Sequence, residues 1–98
     1  MEITAIGDGV TDALVLGEGE YLLAVEATTW DGASATVQES IGSGYVNTDD
    51  PYNTGNALTR TANGNVVRVA GGCRYRLNVS SYGGSTAGLR LIASRAGA

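Results

Sequence analysis

Two runs of alternating apolar and polar residues, separated by a turn, constrain the fold of this chain more than any other feature. Both runs lie in residues 19–38, and a period of two is typical of a β-strand with one buried face. Between them, Asp31-Gly32 readily adopts the positive φ angles of a tight turn, so the segment predicts a β-hairpin. The apolar positions that share one face are Tyr21, Leu23, Val25, Ala27, Ala33, Ala35 and Val37.

Shorter extended segments continue along the chain and are separated by glycine-rich turns. The chain contains 15 glycines and 1 proline, which suits many short turns and argues against long helices. Asn63-Gly64 predicts a second hairpin turn, and the segments before residue 40 favour a meander. Seven or eight strands at this spacing predict an all-β fold, a single compact β-sandwich or jelly roll. The other predicted strands are residues 10–16, 57–61, 66–70, 73–81 and 89–94.

The 98 residues predict one domain with two segments that stand outside the regular strand pattern. Residues 1–9 alternate weakly and end in a turn, so we expect an arm or an edge strand there. Residues 41–56 have no period and are rich in turn residues, which predicts a long irregular loop with at most one short strand, at residues 45–47. Loops of this length in small domains are usually functional or disordered.

Positive and negative charges are segregated along the sequence. All six positive charges are arginines and lie between Arg60 and Arg95, whereas all ten acidic residues lie at or before Asp50. This layout predicts either acidic strands that face basic strands within one molecule, or acidic and basic patches that meet between copies. The sequence does not choose between these two arrangements.

Catalysis and cofactor binding find little support in the residue types present. The chain has no histidine, which excludes serine and cysteine triads and imidazole metal sites, and its single cysteine, Cys73, excludes an intrachain disulfide. The carboxylate pairs lie in predicted turns, where acids are usually solvated. We therefore expect no enzyme, no catalytic residue, no cofactor and no metal site. Calcium held by oxygen ligands of residues 47–53 is an open alternative.

Nucleic acids and membranes are not expected partners. Arg74 and Arg76 share one face of a predicted strand, and Arg68 and Arg90 are expected to join them, but the net charge is −4 and the chain has no lysine. No apolar run approaches the roughly 20 residues of a membrane span. The first residues also lack the basic and apolar regions of a signal peptide, so we expect synthesis in the cytoplasm.

Four aromatic residues fall in predicted turns or loops, where they either contact a partner or a sugar or cover the ends of the sheets. Together with the amino-terminal segment and the strand arginines, they make up the predicted interaction residues. These residues are Ile3, Trp30, Tyr45, Tyr52, Arg74, Arg76 and Tyr82.

Three segments resemble small β-sandwich virion proteins of tailed bacteriophages, which are short proteins encoded near the major capsid protein. They are Gly19-Glu-Tyr-Leu-Leu-Ala-Val-Glu-Ala-Thr28, Asp31-Gly-Ala-Ser-Ala-Thr-Val-Gln38 and Gly71-Gly-Cys-Arg-Tyr-Arg-Leu-Asn-Val79. The corresponding family features are a Gly-x-Tyr strand, a tight-turn hairpin that ends in Thr-Val-x-Leu/Gln, and a late Gly-x-Tyr-Arg strand. The resemblance covers residues 17–92, and it departs from the family pattern in the long segment 41–56.

The resemblance implies a role as a head decoration, or cement, protein. Such a protein binds the major capsid protein on the capsid exterior and clusters as a homotrimer, after synthesis in the host cytoplasm. A competing expectation is a glycan- or receptor-binding module of a phage fibre, which would use Trp30 and the loop tyrosines.

Overall fold

A computed structural model describes residues 1–97. It contains two antiparallel sheets, and alternate side chains along the strands are buried between them. The described residues contain ten short strands and no helix, which confirms the predicted all-β class. The strands are β1 (Glu2–Thr4), β2 (Gly9–Val10), β3 (Leu14–Val15), β4 (Glu20–Glu26), β5 (Ser34–Ser40), β6 (Tyr45–Asn47), β7 (Thr59–Arg60), β8 (Val67–Ala70), β9 (Arg74–Ser80) and β10 (Arg90–Arg95).

The strand order is that of a jelly roll. Sheet A has the order β1-β10-β4-β8, and sheet B has the order β2-β9-β5-β6. β3 also pairs with β9, and β7 also pairs with β5, so each of these short strands extends an interrupted edge strand of sheet B. Each sheet thus has four strand positions, and successive positions mostly alternate between the sheets, as in double-sheet jelly rolls.

The core lies between the two sheets and contains the side chains that alternation places on the inner faces. All seven positions predicted from residues 19–38 are buried, and so are Tyr75, Leu77 and Val79 of β9. In β10, Leu91 is fully buried whereas its neighbour Arg90 is only partly covered. The predicted faces of these strands are therefore confirmed.

The predicted hairpin at residues 19–38 is wrong, because β4 and β5 belong to different sheets. β4 pairs with β8 and β10, and β5 pairs with β9, β6 and β7. The turn residues do adopt positive φ angles, 47° at Asp31 and 77° at Gly32. However, the connection crosses from one sheet to the other, and Thr28 and Thr29 bind the carbonyl of Ala87 instead of a strand partner. Period two reveals which face is buried but not which strand lies alongside.

The predicted hairpin at Asn63-Gly64 is wrong for the same reason, since β7 lies in sheet B and β8 in sheet A. Asn63 has another role. Its Oδ1 accepts hydrogen bonds from the Ala27 amide at 2.8 Å and from Trp30 Nε1 at 2.9 Å, and its Nδ2 donates to the Ala27 carbonyl at 3.3 Å. The Asn63 side chain thus fixes the start of the crossing between β4 and β5.

The amino-terminal part also differs from the predicted pattern. Residues 2–4 form an edge strand, β1, beside β10, which is one of the two expected arrangements. The single strand predicted at residues 10–16 is instead two short strands, because Thr11 turns its side chain into the ladder. The Oγ1 of Thr11 accepts the amide of Leu77, and its own amide donates to the Leu77 carbonyl. The chain does not form the predicted meander.

Segment 41–56 contains the short strand anticipated at residues 45–47 and binds to the rest of the chain through its backbone. Thr48 donates its amide to the Val37 carbonyl at 2.9 Å and accepts the Leu58 amide at 2.7 Å. Asp50 is buried, and its Oδ2 lies 3.4 Å from Arg60 Nη1. These contacts hold the segment against the edge of sheet B beside β5.

Gly71 provides a test of how closely the strands pack at one end of the sandwich. A Cβ at this position would lie 2.6 Å from Tyr21 Cε1 and even closer to the carbonyl oxygen of Gly17. A backbone carbonyl can shift only if the surrounding strands shift with it. We therefore expect Gly71→Ala to lower the free energy of unfolding by about 1–3 kcal/mol, as measured by urea titration. Gly44→Ala is the control, because nothing lies within 4 Å of its Cβ. Equal stability of the two variants would contradict this packing.

Candidate interaction surfaces

The outer face of sheet B brings together three of the predicted interaction residues, Tyr45, Arg74 and Arg76. Arg74 and Arg76 alternate outward on β9, and Tyr45 lies on β6, which is separated from β9 by the single strand β5. We call this surface the arginine face. Its outward residues are Val10, Val15, Ser34, Thr36, Gln38, Ser40, Tyr45, Asn47, Thr59, Arg74, Arg76, Asn78 and Ser80.

Hydrogen bonds across neighbouring strands fix the centre of the arginine face. Arg76 Nε donates to Gln38 Oε1 at 2.9 Å, and Gln38 Nε2 donates to Asn47 Oδ1 at 3.1 Å. The Arg76 guanidinium also lies 3.7 Å from the centre of the Tyr45 ring, within the range of a cation–π contact. A guanidinium held in this way loses less side-chain freedom when it binds a carboxylate than a free one would.

The arginine face is positively charged on a molecule that is otherwise acidic. None of its outward strand residues is acidic, and Asp12, in the connection between β2 and β3, forms no ion pair with either arginine in the part of the chain that the structure describes. Arg74 is exposed, and Val10 and Val15 form an exposed apolar margin along the β2–β3 edge. The face therefore combines unneutralised positive charge, uncharged polar groups and an apolar border.

The other arginines bind within the chain, and two of them correct a prediction. Arg68 and Arg90 lie on the outer face of sheet A, not beside Arg74 and Arg76. Arg68 pairs with Glu20, and Arg90 lies 3.2 Å from Glu26. On sheet A, acidic residues of the first half meet arginines of the second half within one molecule, which is one of the two predicted arrangements.

The remaining predicted interaction residues lie apart from the arginine face. Ile3, Trp30 and Tyr82 are half-buried and pack against the core, so the two aromatic rings cover the sandwich instead of projecting from it. Tyr52 is 65 % exposed, and its hydroxyl donates to the Val66 carbonyl at 3.2 Å. Of the seven predicted interaction residues, Tyr45, Arg74 and Arg76 therefore lie together on the arginine face, and the other four lie elsewhere.

Sequence reasoning missed Gln38 and Asn47, which orient Arg76. Both are ordinary polar residues on alternating segments, and their importance depends on register, since β5 pairs Gln38 with Arg76 on one side and with Asn47 on the other. No signal in the sequence alone gives that register.

A cleft of about 310 Å³ lies between the two sheets where the edge strand β8 faces segment 48–51. Its β8 side is formed by Val67, Arg68, Val69 and Ala70, and its sheet B side carries two carboxylates, Glu39 and Asp49. Asp50 does not join them, since it is buried beside Arg60. Among residues 1–97, no three acidic or cysteine side chains approach closely enough to hold a metal ion.

Tyr75 forms part of this cleft, and its environment favours the neutral phenol. Its hydroxyl donates to the Ala70 carbonyl at 3.0 Å. Burial is the main cause that raises the pKa of Tyr75 above its ordinary value of 10.0, and a hydrogen bond with Cys73 and the charges of Cys73 and Glu39 add to it.

No family model, no curated protein and no solved structure matches this chain. The described residues also contain no helix that is long and apolar enough to span a membrane.

The raised pKa of Tyr75 predicts a loss of stability in alkali. Above about pH 10 the unfolded chain releases the Tyr75 proton while the folded chain retains it, so the free energy of unfolding falls as the pH rises. The slope from this group is about 1.4 kcal/mol per pH unit. Urea titrations between pH 8 and pH 11 should show a shallower decline for Tyr75→Phe than for the wild type. Tyr52→Phe is the matched control. If its free energy of unfolding declined with pH as little as that of Tyr75→Phe, the assignment to Tyr75 would be contradicted.

Proposed function

We propose that the protein is a non-enzymatic structural protein of a phage virion, a capsid decoration protein that binds the outer surface of the head through the arginine face. The observation that carries this proposal is the arginine face itself, which has one guanidinium held in place, a second that is exposed, and no outward carboxylate on its strands, on a molecule of net charge −4. Such a face favours an acidic protein surface, because guanidinium groups pair with carboxylates in a bidentate geometry.

The shape of the surface also supports docking on an extended partner. The arginine face is one side of a sheet and is built from short polar side chains, so it suits a broad surface more than a small molecule. Jelly rolls occur in viral capsid and lectin domains, which agrees with a virion role but does not distinguish these two classes. The resemblance in residues 17–92 favours the capsid, and it is also the basis for the proposed homotrimer.

Glycan binding finds less support in the arrangement of the aromatic residues. Sugar sites commonly use exposed aromatic rings, but Trp30 and Tyr82 pack on the core and Arg76 covers the Tyr45 ring. Tyr52 is the one exposed ring among the four, and its hydroxyl is bound to the Val66 carbonyl. Two arginines on one face would also neutralise only about two phosphates, which gives weak binding to nucleic acid. A protein partner with surface carboxylates is the proposed occupant.

The test measures binding of the purified protein to phage heads that lack it. We expect Arg74→Gln combined with Arg76→Gln to weaken binding by at least about tenfold, and we expect wild-type binding to weaken as salt rises to about 0.5 M. Arg68→Gln is the matched control, because Arg68 lies on the opposite sheet and pairs with Glu20. Thermal unfolding of each variant shows whether the fold is intact.

Decoration should also protect the heads. We expect undecorated heads to rupture at lower temperature or under milder osmotic shock than decorated heads, since each bound copy adds burial that spans neighbouring capsid subunits. If undecorated heads survive equally well and phages without the protein fail to adsorb to host cells, the receptor-binding alternative is correct and the capsid role is wrong.

A further inference from the structure

The edge strand β8 has free backbone groups on its outer side. β8 pairs only with β4, and Gly71, which follows it, donates its amide to the Gly19 carbonyl at 2.6 Å. Because hydrogen bonding alternates along an antiparallel strand, Val67 and Val69 bond to β4 and Arg68 presents its amide and carbonyl to the open side. All four residues of β8 line the cleft, as expected when the cleft runs along this edge.

Two tyrosine hydroxyls occupy backbone acceptors on either side of the open position. Tyr52 donates to the Val66 carbonyl at 3.2 Å, and Tyr75 donates to the Ala70 carbonyl at 3.0 Å. Within residues 1–97, the amide and carbonyl of Arg68 bond to no other group outside the strand ladder. In the described residues the Arg68 amide and carbonyl and the Ala70 amide therefore remain, and the two Arg68 groups have the spacing that a single residue of an added antiparallel strand would match.

The cleft beneath this edge suits a long side chain with a positive end. Val67, Val69 and Pro51 provide an apolar wall, and Glu39 and Asp49 provide negative charge. Arg68 also lines the cleft, but its guanidinium is paired with Glu20. Thr48 also lines the cleft and is 6 % exposed, and its Oγ1 is the one buried side-chain oxygen or nitrogen in the described chain without a hydrogen-bond partner. Lysine and arginine side chains combine an aliphatic stem with a cationic donor, as these walls require.

We propose that β8 and the cleft bind an extended segment of a partner protein, which adds as a strand beside Arg68 and inserts a lysine or arginine between the sheets. The residue opposite Arg68 forms both backbone hydrogen bonds, and its side chain points outward. The side chains of its two neighbours point into the cleft, because successive residues of a strand face opposite sides. One of these neighbours supplies the cation for Glu39 and Asp49. This site lies apart from the arginine face and does not depend on the capsid role.

The probe is the capped peptide acetyl-Ser-Lys-Thr-Val-Ser-amide, whose threonine would pair with Arg68, titrated into the full chain and followed by amide chemical shifts. We expect saturable binding with shifts confined to β8, segment 48–51 and the residues around Glu39 and Tyr75. Replacement of the peptide lysine by norleucine should weaken binding about tenfold, and so should the double variant Glu39→Gln, Asp49→Asn.

Two variants of one residue test strand addition directly. Arg68→Pro removes the free amide but no bond to β4, so it should abolish binding, whereas Arg68→Ala keeps the amide and should bind normally. Methylation of the peptide threonine nitrogen removes the complementary donor and tests the same bond if Arg68→Pro fails to fold.

Several results would overturn the proposal. No binding at millimolar peptide would reject the site, and equal binding by the norleucine peptide would reject the cationic ligand. Unchanged affinity of Arg68→Pro, with intact fold, or of the methylated peptide would reject strand addition. Sedimentation that shows self-association of the wild type, lost in Arg68→Pro, without peptide binding would assign the edge to a second copy of this chain.

Discussion

The packing of two inner sheet faces is the constraint on which the other features of this protein depend. Val37 and Leu77 from sheet B and Leu23 and Leu91 from sheet A are almost completely buried, and none of them could be covered by its own sheet. Burial of such side chains contributes about 1.5–3 kcal/mol each, so alternation on every long strand follows from the need for two covered faces. The outer faces then carry the polar residues and become the surfaces available for function.

The sequence predicts the strands and their buried faces well because both follow from a local period. Tyr21 to Val37 and Cys73 to Val79 alternate as the structure requires, and the all-β class follows from them. The local period does not predict the sheet to which each strand belongs. Asp31-Gly32 has the φ angles of a tight turn, yet its connection crosses between sheets, because Asn63 and Ala87 bind the intervening residues. Those partners are distant in sequence, so no local pattern reveals them.

The error about sheet membership carries over to the candidate site. Arg68 and Arg90 alternate outward as predicted, but they lie on sheet A, where Glu20 and Glu26 neutralise them. Only after the strands are assigned to their sheets does it become clear which arginines lack a carboxylate nearby. On sheet A, Arg68 and Arg90 are therefore paired with acidic residues, whereas on the outer face of sheet B Arg74 and Arg76 are not. This imbalance is what gives the molecule one positive face.

Jelly rolls do not close on themselves, and sheet A of this one ends in two edge strands, β1 and β8. On β8, tyrosine hydroxyls occupy the carbonyls at both ends and leave Arg68 between them. Partial capping of this kind blocks the indefinite strand addition that makes long free edges prone to aggregation, while one position can still accept a strand. The free position lies above a cleft with two carboxylates, and the arginine face lies on the outer side of the opposite sheet. A positively charged surface and a cleft with two carboxylates therefore lie at separate places on the same small sandwich.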